Sequence, residues 1–150
     1  MSVDVFLDTN VFIYQLEYGD EGKGEIAERI ISRGIANGTA CISFQVIQEC
    51  LNTVLRKAEI PLDAEDVRRY LDEVLSPLWT VMPSRDFYFR GLEIQKRYGF
   101  GFYDSLILSA ALEAGCTRLY SEDLQHGQRI GNLVVESPFL GDGENAQRKI

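Results

Sequence analysis

Short apolar runs alternate along this chain with longer stretches of helical periodicity, a pattern that fits a parallel sheet covered by helices on both faces, the α/β class. Val3-Asp4-Val5-Phe6-Leu7 reads as a first strand. It stops at Asp8-Thr9-Asn10, three residues that favour helix N-caps and turns, so a helix is expected to start there. Between Glu21 and Asn37 the apolar residues Ile26, Ala27, Ile30, Ile31 and Ile35 recur at helical spacing, and Gly38 supplies a stop. Residues 39–42 form a second short strand. Ser43 then caps a helix whose apolar face is Val46, Ile47, Cys50, Leu51, Val54 and Leu55.

Asp63 caps a further amphipathic helix with Val67, Tyr70, Leu71, Val74 and Leu75 on one side, and Pro77 is expected to follow its end. Residues 78–81 read as a third strand. Pro83-Ser84 opens a helix running to about Tyr98, which Gly99-Phe100-Gly101 breaks. Residues 104–114 are apolar almost all round, with small Ser109, Ala110, Ala111 and Ala114, and predict a central helix buried on most sides. A fourth strand, residues 118–120, ends at Ser121-Glu122-Asp123, and a fifth, residues 133–135, precedes Pro138. The segment 141–150 is polar and glycine-bearing, and is expected to be a mobile tail on a single domain of residues 1–140.

At 150 residues the chain has room for one domain with its own core. No stretch approaches the roughly 20 apolar residues that span a bilayer. The start, Met1-Ser2-Val3-Asp4, lacks the basic and apolar regions of a signal peptide, so a cytoplasmic location is expected. Cys41, Cys50 and Cys116 are odd in number and widely spaced, which supports neither a disulfide framework nor a zinc site; they read as core residues. The single histidine, His126, falls in a polar turn and is expected to be exposed. A net charge of −8 argues against a passive nucleic-acid binder. It is compatible with an enzyme whose acidic site recruits divalent cations and so carries local positive charge.

Ligands of open parallel sheets bind beyond the carboxyl ends of the strands, where strand order reverses. Asp8 follows the first strand and Asp123 follows the fourth by a tight turn. Asp104 begins the helix that feeds the fourth strand. Glu49 lies on a helix stripe with Gln45 and Asn52, opposite the apolar face. Singly, each acid has an ordinary explanation: Asp8 as a cap, Asp104 as a first-turn acid, Glu49 as a solvated side chain, Asp123 as a turn residue. Together, four acids from four segments at one end of a sheet would repel one another unless cations bind between them. Hard oxygen ligands suit Mg²⁺ or Mn²⁺, and such a site can hydrolyse a phosphodiester. The lone histidine stands near no candidate nucleophile, and no glycine-rich phosphate loop follows the first strand.

From Val3 to about Leu140 the chain resembles the PIN domain family, and within it the VapC-type toxins of toxin–antitoxin pairs. The resemblance is carried by Val5-Phe6-Leu7-Asp8-Thr9-Asn10-Val11-Phe12, Ile42-Ser43-Phe44-Gln45-Val46-Ile47-Gln48-Glu49 and Phe102-Tyr103-Asp104-Ser105-Leu106-Ile107. Leu119-Tyr120-Ser121-Glu122-Asp123-Leu124 and Val135-Glu136-Ser137-Pro138-Phe139 complete it. The resemblance implies a PIN-like three-layer fold with a five-stranded parallel sheet of order 3-2-1-4-5, strands one and four adjacent. It implies that Asp8, Glu49, Asp104 and Asp123 bind Mg²⁺ or Mn²⁺, with Asn10 and the Ser121 hydroxyl in support. Many relatives carry Thr in place of Ser121, which keeps the hydroxyl, and Asn in place of Ser137, which touches a closing turn.

The resemblance further implies a metal-dependent ribonuclease acting on RNA, a homodimer, and a small antitoxin partner. A PIN nuclease outside any toxin pair and a binding module without catalysis remain open alternatives. A phosphoacceptor receiver domain would need an acidic pair after the first strand and a lysine after a late one, and the chain supplies neither. Arg56, Lys57, Arg68, Arg69, Lys96 and Arg97 could contact a phosphate backbone, although a solvated helix face is the default reading.

Overall fold

The structure, a computed structural model, describes residues 3–17, 21–57, 60 and 62–140. The expected tail, 141–150, lies outside the described residues. Strand β1 (Val5–Leu7) leads into α1 (Thr9–Leu16) and α2 (Glu21–Asn37), and β2 (Ala40–Ser43) into α3 (Phe44–Arg56). Helix α4 (Ala64–Tyr70), a π-helical turn (Leu71–Leu75) and the short α5 (Ser76–Leu78) lead to β3 (Trp79–Val81). Then come α6 (Arg85–Tyr98), α7 (Phe102–Glu113), β4 (Arg118–Tyr120), β5 (Arg129–Ile130) and β6 (Leu133–Glu136), with a 3-10 turn at Pro138–Leu140.

The sheet order is β3-β2-β1-β4-β6-β5. Five strands are parallel and follow the expected 3-2-1-4-5 order. Phe6 of β1 stands opposite Cys41 on one side and Leu119 on the other. The sixth strand, β5, is a correction: two residues long, it runs antiparallel to β6, Ile130 opposite Leu133. The turn between them requires Gly131 at φ 59°, a left-handed conformation that glycine adopts without steric cost. A two-residue edge strand has too little periodicity to be read from sequence.

Phe6, Leu7, Phe12, Phe87, Leu108 and Leu119 lie fully buried in one core, together with all three cysteines. Cys41 and Cys116 touch, their sulfurs 3.5 Å apart. Helix α7 is buried from Ser105 through Ala111, as its all-round apolar sequence required, and Ser109 Oγ donates to the Phe87 carbonyl of α6 at 2.8 Å.

Four details differ from the sequence reading. Helix α7 starts at Phe102, two residues before Asp104, because Gly101 supplies the N-cap. Leu55 is 69% exposed, since α3 outruns the core at its last turn. Pro77 falls inside a helical segment that continues to Leu78. In the widened turn before it the Ser76 N–H reaches back to the Leu71 carbonyl, so proline enters in the first turn of α5, where its missing donor is tolerated. His126 is half-buried, and its Nδ1 accepts the Ser137 N–H at 3.0 Å, pinning the loop after β4 to the end of β6.

Helix α2 lies directly on β2, and a Cβ on Gly34 would come within 2.5 Å of the Ala40 Cβ. Neither atom can swing away. A Cβ on Gly91 of α6 would meet Leu106 Cδ2 at 2.7 Å, the far end of a side chain that can rotate. Overpacking costs about 1–3 kcal/mol, against a gain of about 1 kcal/mol when alanine replaces glycine in a helix. Gly34→Ala should therefore lower stability by about 1–2 kcal/mol in urea unfolding, and Gly91→Ala by distinctly less.

Candidate active site

The chain runs outward from β1 to β2 and β3, then crosses back to place β4 on the other flank of β1. At this reversal the loops after β1 and β4 diverge and leave a crevice at the carboxyl edge of the sheet. A cleft of about 510 Å³ lies there, lined by Asp8, Glu49, Asp104 and Asp123 together with Asn10. All four acids expected from the sequence therefore face one space.

Asp8 caps α1 and is 4% exposed. Its Oδ1 accepts the Thr9 N–H at 2.7 Å, and its Oδ2 accepts the Ser121 hydroxyl at 2.8 Å. Ser121 Oγ in turn accepts the Asp123 N–H at 3.1 Å, so the first and fourth acids are linked through one serine. Ser121 is fully buried and supports the site from behind the cleft wall. Glu49 is held from α1, where Thr9 Oγ1 donates to its Oε1 at 2.6 Å. Both polar atoms of the Asn10 amide are buried without a hydrogen-bond partner.

Burial pushes the Asp8 carboxyl up from its ordinary value of 3.8 to about 7; the bonds from Ser121 and Thr9 oppose the shift, and the charges of Asp123 and Glu49 add to it. The Asp104 carboxyl is also raised, by burial first and then by Asp123 and Glu49. Burial is thus the main obstacle to ionisation at both positions, and the neighbouring acids add to it. Among the described residues, however, no three acidic, histidine or cysteine groups converge tightly enough to hold a metal ion between them.

Several neighbours went unnoticed in the sequence. Thr9, lying between two singled-out residues, acts on Glu49 rather than on the backbone alone. Glu122 lines the cleft beside Asp123, and Lys23 of α2 pairs with it at 2.7 Å. Arg56 and Lys57 line the cleft as well, and Lys57 pairs with Glu17 at 2.7 Å. Arg56, Lys57, Arg68, Arg69, Lys96 and Arg97 are all exposed, as the default reading expects, and the first two also border the cleft.

A mostly parallel α/β domain with an acidic cleft at its topological switch point is the class that fold and site define. The sequence pattern of the PIN domain matches residues 5–129, and the chain belongs to that family. Among solved structures it is similar to DNA-bound VapBC from Salmonella typhimurium, with a TM-score of 0.64, 19% identity, and coverage of 91% of this chain and 98% of the other. VapBC2 from Rickettsia felis, bound to a promoter DNA fragment, gives a TM-score of 0.63, 21% identity and coverage of 90% and 98%. VapC20 from Mycobacterium tuberculosis, described as a Sarcin-Ricin loop cleaving toxin, gives 0.57, 18% identity and coverage of 79% and 88%. No curated protein sequence matches the chain.

The raised Asp8 pKa sets a pH dependence for the metal-free protein. Between the ordinary value of 3.8 and about 7 the folded carboxyl holds a proton that the unfolded chain releases. Its contribution to stability is thus complete below the lower value and lost as pH rises through the upper one. In EDTA, wild type should melt lower at pH 8 than at pH 5. Asp8→Asn should melt higher than wild type at pH 8, with much of the pH slope gone. A mutant with an unchanged slope would show that Asp8 ionises as an ordinary carboxylate.

Proposed function

We propose that this chain is a Mg²⁺- or Mn²⁺-dependent ribonuclease that hydrolyses RNA phosphodiester bonds, and that it is the toxin of a toxin–antitoxin pair. The observation that carries the proposal is the convergence of Asp8, Glu49, Asp104 and Asp123 on one cleft, where the ionisation of Asp8 is opposed first by its burial and then by the charges of Asp123 and Glu49.

The donor set fits a divalent cation. It consists of hard carboxylate oxygens, with the unpartnered Asn10 amide beside them. The spread of the acids suits a partly hydrated ion, because Mg²⁺ keeps several waters and commonly takes only one or two carboxylates. Bound there, the cation would activate a water and stabilise the attacking and leaving oxygens of a phosphodiester. Asp8 and Asp104 would hold it. Glu49, fixed by Thr9, and Asp123, whose backbone N–H is held by Ser121, would hold it or its waters. Ser121 keeps the Asp8 carboxylate turned so that one oxygen is engaged behind the wall. Arg56 and Lys57 at the cleft supply positive charge for a phosphate backbone.

The toxin reading is supported by the similar folds, which include VapBC complexes and a toxin described as cleaving the Sarcin-Ricin loop. It brings a small antitoxin as partner and places the work in the cytoplasm, where RNA substrate is available. Residues 1–140 would form the PIN domain, with 141–150 as a polar extension. A homodimer is supported by exposed Tyr88, Phe89 and Leu92 on α6, and by Trp79 in β3 and Met82 just after it. Such side chains gain most when buried in a partner.

Purified protein should cleave RNA in Mg²⁺ or Mn²⁺ and lose activity in excess EDTA. Asp104→Asn should reduce cleavage by more than about 100-fold, the upper end of what losing an outer partner of a metal costs. Cleavage that persists in EDTA, or undiminished cleavage by Asp104→Asn, overturns the assignment, and a binding module is then the better reading. Light scattering at micromolar concentration should give twice the 17.0 kDa chain mass, and Phe89→Glu with Leu92→Glu should return it to that of one chain.

A further inference from the structure

We propose that Gln45 is a positioning residue: it fixes the Glu49 carboxylate against the helix that carries Asp104, and it is there for the site and not for the fold. The proposal rests on the metal-dependent reading above.

Gln45 lies in the first turn of α3, lines the cleft, and is 5% exposed. Its amide nitrogen donates twice. One hydrogen bond runs along α3 to Glu49 Oε2 at 3.4 Å, and the other crosses to the carbonyl of Tyr103, the residue before Asp104, at 3.2 Å. The opposite amide orientation would set its oxygen against two acceptors, so the geometry fixes which end faces the acids. The consequence is that Gln45 Oε1 is buried without a partner.

For stability alone this is a poor arrangement. The bond to the Glu49 carboxylate is long for its kind and the bond to Tyr103 goes to a neutral carbonyl, so their net gain is modest, whereas a buried acceptor without a donor carries its full desolvation penalty. A methionine of similar length would fill the space without that penalty. What glutamine adds is control of Glu49. With Thr9 Oγ1 on Oε1 and Gln45 Nε2 on Oε2, both carboxylate oxygens are held, from α1 on one side and from within α3 on the other. The second amide hydrogen couples that carboxylate to the first turn of α7, which sets its distance from Asp104 across the cleft. Since among the described residues no three acids close round a point unaided, the spacing between them decides how well one ion and its waters can bridge them.

The test compares wild type, Gln45→Met and Gln45→Leu by thermal melts in EDTA and by calorimetric titration with MnCl₂ alone. It repeats the titration for Glu49→Gln with and without Gln45→Met. Both Gln45 variants should melt in EDTA at or above the wild-type temperature and bind Mn²⁺ about tenfold more weakly, in the range seen for outer-shell partners. In the Glu49→Gln background Gln45→Met should change Mn²⁺ affinity little, because the group it acts through is gone. Variants that melt lower than wild type, or fail to fold, mark Gln45 as framework and overturn the proposal. So does Mn²⁺ affinity unchanged from wild type, which leaves the metal-dependent reading standing. Wild type that binds no Mn²⁺ is a separate outcome: it removes the metal-dependent reading and this inference with it.

Discussion

Asp8 ends the central strand of the sheet with almost none of its surface in water, and the rest of the cleft is arranged around that burial. An isolated carboxylate cannot stay charged in such a place, so it must be neutral, hydrogen-bonded or balanced by a cation. The fold supplies the second remedy in part, through the Thr9 N–H and the Ser121 hydroxyl. It promotes the first in the metal-free chain, because the charges of Asp123 and Glu49, brought to the same cavity, raise the Asp8 carboxyl further. A divalent cation, as proposed above, would supply the third.

The same constraint explains why the supporting residues matter as much as the acids. Ser121 touches Asp8 and the Asp123 backbone, and Thr9 touches both Asp8, through its N–H, and Glu49, through its hydroxyl. Each ties two segments that are distant in sequence. The Asp8 and Glu49 carboxylates therefore cannot turn away from the cleft without breaking bonds that also hold strand ends and helix starts together. The surrounding charges follow a similar logic: Lys23 engages Glu122, and Lys57 engages Glu17, so that two further acids lining the cleft are balanced by lysines.

Much of the fold was legible in the sequence because burial leaves a periodic trace. The parallel strands appear as short apolar runs, α7 as a helix without a polar face, and α6 as a segment between Ser84 and Gly99 that is capped at both ends. The acids were legible for a related reason, since each stands where a strand ends or a helix begins. What was not legible lacks such a trace. The two residues of β5 are too few for a period, and Pro77 reads as a terminator until the widened turn before it is seen. His126 looks like an exposed turn residue because its partner, the Ser137 backbone, is eleven positions away.

Local periodicity and motifs of a few residues were enough to establish the α/β alternation, the family, and which acids could form a site. The docking of helices on the sheet added that Thr9 acts on Glu49, that Gln45 reaches the Tyr103 carbonyl, and that Arg56 and Lys57 border the cleft. Those facts are distances between segments 40 and 58 positions apart along the chain, and no local pattern encodes them. They follow from how helices dock on the sheet, where contacts as specific as Gly34 against Ala40 set the approach.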